Sequence, residues 1–147
     1  MEKKKKFLIW LIVAVVSLAM LSGCTGLIEM AIVEITFEPN PVPYDSEFEG
    51  WRFSLIFTET GGVGVTLSQV RLDSFDQEDR LIYTTIWYEE DFPPWWGSDY
   101  LGAYSEFDMG EFWQRDPMMS HTIITVNGID DLGNFIEATG RVDFLPQ

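Results

Sequence analysis

Eight residues near the first third of the chain set the terms for the rest. From Trp51 to Thr58, Trp51, Phe53, Leu55 and Phe57 fall on one side, and Arg52, Ser54 and Thr58 on the other. A period of two belongs to an extended strand, whose successive side chains point to opposite faces. A face built of two phenylalanines, a tryptophan and a leucine needs a second layer to cover it. The alternation returns at the far end of the chain, where Ile136, Ala138, Gly140, Val142 and Phe144 oppose Glu137, Thr139, Arg141 and Asp143. Two such strands, distant in sequence and each apolar on one face, predict a core held between two sheets.

The intervening sequence divides into further strands and turns. Residues 29–38 read as a first strand. It is stopped by Pro39-Asn40-Pro41-Val42-Pro43, which cannot pair regularly and predicts an extended kink at a sheet edge. Residues 48–58 form the clearest strand. Gly61-Gly62-Val63-Gly64 reads as a flexible turn, and residues 66–75 as a third strand running into an acidic bend over 73–79. Residues 80–88, rich in β-branched and aromatic side chains, read as a fourth strand. Residues 89–101 look irregular and 106–113 extended. Residues 121–129 and 135–145 form a hairpin about Asp130-Asp131-Leu132-Gly133-Asn134. About seven strands with turns at regular spacing fit an all-β, two-sheet antiparallel sandwich.

The amino terminus follows a different logic. Lys3, Lys4, Lys5 and Lys6 precede an apolar run from Phe7 to Met20, interrupted only by Ser17 and followed by Leu21-Ser22-Gly23-Cys24. A basic segment, a short apolar helix and small residues make an export signal. The run is short for a membrane span, which takes about 20 residues. The Leu21–Cys24 ending resembles the lipobox of bacterial lipoproteins. That resemblance implies cleavage of a signal peptide over 1–23 and lipid on Cys24. A single domain over 24–147 would then be anchored to the cell envelope and face the periplasm or the exterior.

Removing 23 leader residues from 147 leaves 124, enough for one domain with a modest core. Cys24 is the only cysteine, so no internal disulfide can form and burial must hold the fold. All four lysines are lost with the leader, and five arginines against 23 carboxylates give a charge of −18. Such a surface repels phosphate backbones, which excludes nucleic acid as a partner.

Glu59-Thr60-Gly61-Gly62-Val63-Gly64-Val65-Thr66-Leu67, with the aspartate-rich bend that follows, resembles a segment of immunoglobulin-like domains in bacterial cell-surface lipoproteins. Thr125 to Asn134, with the alternating strand after it, is similar to their last hairpin. The resemblance implies an immunoglobulin-like sandwich over roughly residues 30–145. It assigns no catalytic residue and no binding residue.

Candidate sites are sparse. His121, the only histidine of the chain, opens a strand, and Ser120 beside it is expected on the opposite face, so a nucleophile–base pair is not expected. One histidine and one lipidated cysteine make no zinc set, and no pair of carboxylates is singled out for a small hydrolase. The expected activity is therefore non-catalytic. Asp73, Asp76, Glu78 and Asp79 offer loop oxygens of the kind calcium takes, as do Asp130 and Asp131 in the last hairpin. Between Trp87 and Trp113 lie ten aromatic residues. Of these, Trp95, Trp96 and Tyr100 are the candidates to stay exposed for a ligand, while the others plug one end of the sandwich. The expected role is a protein-binding or assembly module, the alternative a glycan-binding module using the loop tryptophans.

Overall fold

The computed structural model describes residues 29–92 and 97–147; the leader with Cys24, and Trp95 and Trp96, lie outside the described residues. Nine strands form: β1 (Val33–Glu38), β2 (Tyr44–Asp45), β3 (Gly50–Glu59), β4 (Val65–Asp76), β5 (Leu81–Tyr88), β6 (Tyr100–Leu101), β7 (Glu106–Gln114), β8 (Met119–Asp130) and β9 (Phe135–Asp143). All named strand pairs are antiparallel. In the smaller sheet β3 is central, with β1 and β2 along one edge and β7 along the other. In the larger sheet the order is β5-β4-β8-β9, and β6 pairs with β4 beyond the end of β5. Leaving aside the two-residue strands β2 and β6, seven principal strands remain. The first, second and fifth share one sheet and the other four share the second, so the chain crosses between layers after β3, β5 and β7. This is an immunoglobulin-like antiparallel β-sandwich.

The two strands with the clearest alternation lie on opposite sides of one core. Trp51, Phe53, Leu55 and Phe57 are buried, as are Ile136, Val142 and Phe144. Phe53 stacks on Phe112 with ring centroids 5.9 Å apart and touches the Phe144 ring at 5.8 Å. The Trp51 indole N–H donates to the Leu145 carbonyl at 2.9 Å, so the largest ring of the core keeps its polar atom satisfied. Gly140 sits where β1 passes closest to β9: a Cβ there would stand 2.8 Å from the Cβ of Ile35.

Three local expectations change. The proline segment does pair, through substitutes. Val42 N–H donates to Asp143 O at 2.7 Å and Val42 O accepts from Leu145 N–H at 2.9 Å. The Asn40 amide bonds both Arg141 O (2.9 Å) and Asp143 N–H (3.0 Å). Prolines lack the N–H that a strand donates, so a side-chain amide supplies it while the chain passes from β1 to β9. The strand predicted over 29–38 begins only at Val33, because residues 31–32 are held by side-chain carboxylates. The bend predicted over 73–79 is shorter: Asp73 lies within β4, which runs on to Asp76.

Phe53→Ala is expected to cost about 3–5 kcal/mol, the range for deleting a large buried aromatic. With no disulfide to limit the loss, urea unfolding should show either a large drop in midpoint or an unfolded chain.

Candidate functional site

The alternation that buries Trp51, Phe53, Leu55 and Phe57 carries one residue further and buries a carboxylate. Glu59 is 1% exposed. Its Oε1 accepts from Ile32 N–H (3.0 Å) and Gly61 N–H (2.7 Å). Its Oε2 accepts from Gly62 N–H (2.9 Å) and Tyr104 N–H (3.0 Å). Burial works to raise its pKa, but the four backbone bonds outweigh burial and hold it below the usual glutamate value. The turn after β3 is therefore tightly held rather than flexible. At Gly62, with φ of +84°, a side chain would run into the Tyr104 ring.

Asp130 does the same one strand pair away. Oδ1 accepts from Leu132 N–H (3.0 Å) and Asn134 N–H (2.8 Å), and Oδ2 from Ala31 N–H (3.1 Å) and the Asn134 amide (2.9 Å). Burial, acting upward, is again outweighed and the pKa is lowered. Glu59 and Asp130 together fasten the start of the domain to the turns at one pole of the sandwich. Sequence reasoning missed Glu59, although its signal was present: a carboxylate at the buried parity of a strand, followed by Gly-Gly.

The calcium set is not assembled. Asp73 lies on the outer face of β4, where its carboxylate accepts from Arg71 Nε at 3.0 Å and from the Thr84 hydroxyl. Asp76 lies in the buried row and accepts from Glu78 N–H (2.8 Å), Arg80 N–H (3.0 Å) and Arg80 Nε (2.8 Å). Glu78 pairs with Arg80 at 3.0 Å, and Asp79 is exposed with φ of +58°. Arg80 brings a positive charge to the bend. Its backbone N–H bond, the leading cause, and its guanidinium both lower the Asp76 pKa. Asp131, in the other acidic bend, accepts from the Tyr100 hydroxyl. No group of three or more potential ligands able to hold a metal occurs among the described residues.

The histidine differs from the expectation. His121 is 3% exposed, and its ring stacks on Phe75 at 4.9 Å. Ser120 does not point away: its Oγ lies 2.9 Å from His121 Nδ1. The cause is a bulge. Phe75 pairs with His121 but Asp76 pairs with Met119, so Ser120 is the extra residue and strict alternation fails there. The single hydroxyl proton goes to Asp76 O at 2.7 Å, which leaves Oγ to accept from Nδ1–H. Burial, then Arg141, lowers the His121 pKa against the opposing pull of Asp79 and Asp143. In that arrangement the ring donates to the serine and is not placed to remove its proton.

The aromatic segment splits between core and surface. Phe92 is buried, and Trp87, Phe107 and Phe112 pack against the core. Tyr88, Tyr100, Tyr104 and Trp113 are exposed. Tyr100, one of the predicted ligand residues, donates its hydroxyl to Asp131 Oδ2 at 2.9 Å, and that bond holds its pKa above the ordinary value.

The outer face of the larger sheet carries the most ligand-like surface. Tyr88, Gln69, Asn127 and Glu137 form one row across β5, β4, β8 and β9. The Gln69 and Asn127 amides face each other at 3.2 Å. A groove of about 390 Å³ runs over them, walled by Tyr88 and Phe135, with Glu89 and Glu90 at its rim. Ile86 and Ile129, also exposed on this face, extend its apolar surface.

No protein-family model matches the chain, and no curated protein matches it. Among solved structures it is similar to a Bordetella pertussis protein provisionally named ApaA, with 12% identity over 81% of this chain and 98% of that one and a TM-score of 0.49. It is also similar to the CARDB domain of the PF1109 protein from Pyrococcus furiosus, solved in complex with di-metal ions, with 14% identity over 81% and 97% and a TM-score of 0.42. The assignment of the fold rests on the strand order itself.

Glu59→Gln leaves one amide oxygen for four N–H donors, so at least one buried donor is stranded at about 1–3 kcal/mol. The pH dependence has a definite sign. Carboxylates with lowered folded pKa stabilise the fold above their unfolded values of 4.5 for glutamate and 3.8 for aspartate, and that stability is lost as pH falls through the folded values. His121, also lowered, favours the fold above its unfolded value of 6.5, and that contribution declines as pH falls below it. Unfolding free energy measured against pH should be flat from neutrality to the approach of the unfolded tyrosine value of 10.0, and decline above it because Tyr83 and Tyr100 are raised. It should decline gently below 6.5 and drop steeply below 4.5. In Glu59→Gln the steep limb should be shallower.

Proposed function

We propose that this chain is a lipid-anchored lipoprotein of the bacterial cell envelope, whose sandwich acts as a non-catalytic module that binds a partner through the outer face of its larger sheet. The carrying observation is the groove between Tyr88 and Phe135, set in a face that also exposes Ile86 and Ile129. Apolar side chains gathered on one sheet face and rimmed by acids favour a protein contact. The anchor rests on the order of features from Lys3 to Cys24. The absence of catalysis is favoured by the hydrogen bonding of Ser120 and His121, whose groups are committed to one another and to the Asp76 carbonyl.

A second reading, recognition of an uncharged glycan, is favoured by the amide pair on the groove floor. Amides and carboxylates bond vicinal hydroxyls, and a flanking aromatic ring stacks on a sugar face.

Cys24→Ala is expected to move the protein from the membrane fraction to the soluble fraction, or to leave an uncleaved precursor; mass spectrometry of the amino terminus reads the outcome. A photo-crosslinking residue at Tyr88 should give a discrete adduct in cells, whereas one at Trp113, on the outer face of the smaller sheet, should not. Under the glycan reading the Tyr88 adduct is missing, and neutral oligosaccharides titrated onto the protein bind in a way that Tyr88→Ala abolishes. Tyr88 is exposed, so its replacement should change stability by no more than about 0.5 kcal/mol.

A further inference from the structure

We propose that the pole at which the chain enters the sandwich is seated on the lipid surface, so that the domain stands upright on its anchor. The inference rests on the reading of Cys24 as the lipid-bearing residue and goes beyond it, since an anchor alone fixes neither orientation nor contact.

The first observation is where the chain enters. Ala31 N–H is bonded to Asp130, Ile32 N–H to Glu59, and Ile32 O accepts from Thr60 N–H at 2.9 Å. The domain is therefore fastened to its own amino terminus from residue 31 onward. The seven steps from Cys24 to Ala31 reach at most about 25 Å. β8 alone, at 12 residues, spans about 40 Å. The tether is shorter than the long axis of the sandwich, so this pole is the one kept near the membrane.

The second observation is what the pole displays. Three turns meet there: residues 60–64, 102–105 and 131–134. Tyr104 is 76% exposed and Leu132 57%, and Ile32 stands exposed beside them. Tyr100 presents its ring with the hydroxyl tied to Asp131. Tyrosines and aliphatic residues at a rim suit the boundary between headgroups and acyl chains.

The third observation concerns the backbone. Turns brought against lipid lose water, and their N–H groups then need internal partners. Here the N–H groups of Ala31, Ile32, Gly61, Gly62, Tyr104, Leu132 and Asn134 all end on Glu59 or Asp130. The same bonds turn both carboxylates inward, away from the headgroups. No arginine lies in this pole among the described residues, and Glu29 and Asp131 are exposed in it, so the seat does not draw on attraction to anionic lipid. The acidic flanks of the domain, repelled by anionic headgroups, favour the upright posture over a domain lying on its side.

The test uses the whole mature lipoprotein in phosphatidylcholine vesicles. Cys24 is its only cysteine and is blocked by lipid, so a second cysteine can carry a spin label alone. Labels are placed at Leu132 and Tyr104, and at Met118 on the opposite pole as the reference; circular dichroism confirms that each variant is folded. Collision with a water-soluble nickel chelate should be several-fold lower at 132 and 104 than at 118, collision with oxygen higher, and neither should change with salt. Equal nickel access at the two poles in protein that floats with the vesicles would overturn the seat while leaving the anchor intact. Dipolar coupling between labels at 132 on different molecules would overturn it in favour of a second copy covering the pole. Protein that does not float would overturn the anchor and the seat together.

Discussion

A single buried carboxylate organises one end of this domain. Glu59 gathers backbone N–H groups from the chain entry, from both glycines of the first crossover turn and from the loop before β7. None of these segments has a strand partner for those donors. Left in the interior without acceptors, they would carry the desolvation penalty of buried polar groups. One anion with four lone-pair positions satisfies all four, and the bonds in turn keep it ionised. Asp130 repeats the solution for the last hairpin, and Asp76, with Arg80, for the β4–β5 turn at the opposite pole. A sandwich with no disulfide thus fixes its turns with carboxylates.

Between the poles, the layers are held by rings. Trp51, Phe53, Phe112 and Phe144 form a connected aromatic set that joins both sheets. The two sides of the sandwich are closed differently. On one side β1 lies against β9 with only Gly140 between them, and the proline segment continues the contact through Asn40. On the other, β5 and β7 meet through Tyr83, whose hydroxyl donates to Gln114 at 2.7 Å, and through Trp87 against Phe112. That second seam is looser: no residue of β5 is fully buried. It leaves Ile86 and Tyr88 exposed on the outer face.

The two proposed contacts lie at different places. The Tyr88–Phe135 groove lies on a flank, and the exposed Tyr104 and Leu132 lie at the pole where the chain enters. The opposite pole holds the Ser120–His121 bulge, whose polar atoms answer one another. Under the proposed anchor and the proposed binding face, the domain would present its larger sheet parallel to the membrane normal.

The period of two in residues 51–58 and 135–144 was enough to place both layers of the core, because alternation records burial directly. The hairpins and the all-β class followed from turn residues in the same way. The alternation misleads at one point: a bulge adds a residue without a signature in the sequence, so strict alternation puts Ser120 and His121 on opposite faces although they touch. The clustering of acids in the 73–79 stretch was visible, but not that β4 runs through half of it and that Arg80 supplies the positive charge. Which aromatics turn outward, and that Glu59 and Asp130 meet the chain entry, depended on contacts between residues up to 99 positions apart. Sequence determined the layers, because burial of a strand face is a local, periodic property. Tertiary structure alone decided the poles, because a buried carboxylate is defined by donors that arrive from elsewhere in the chain.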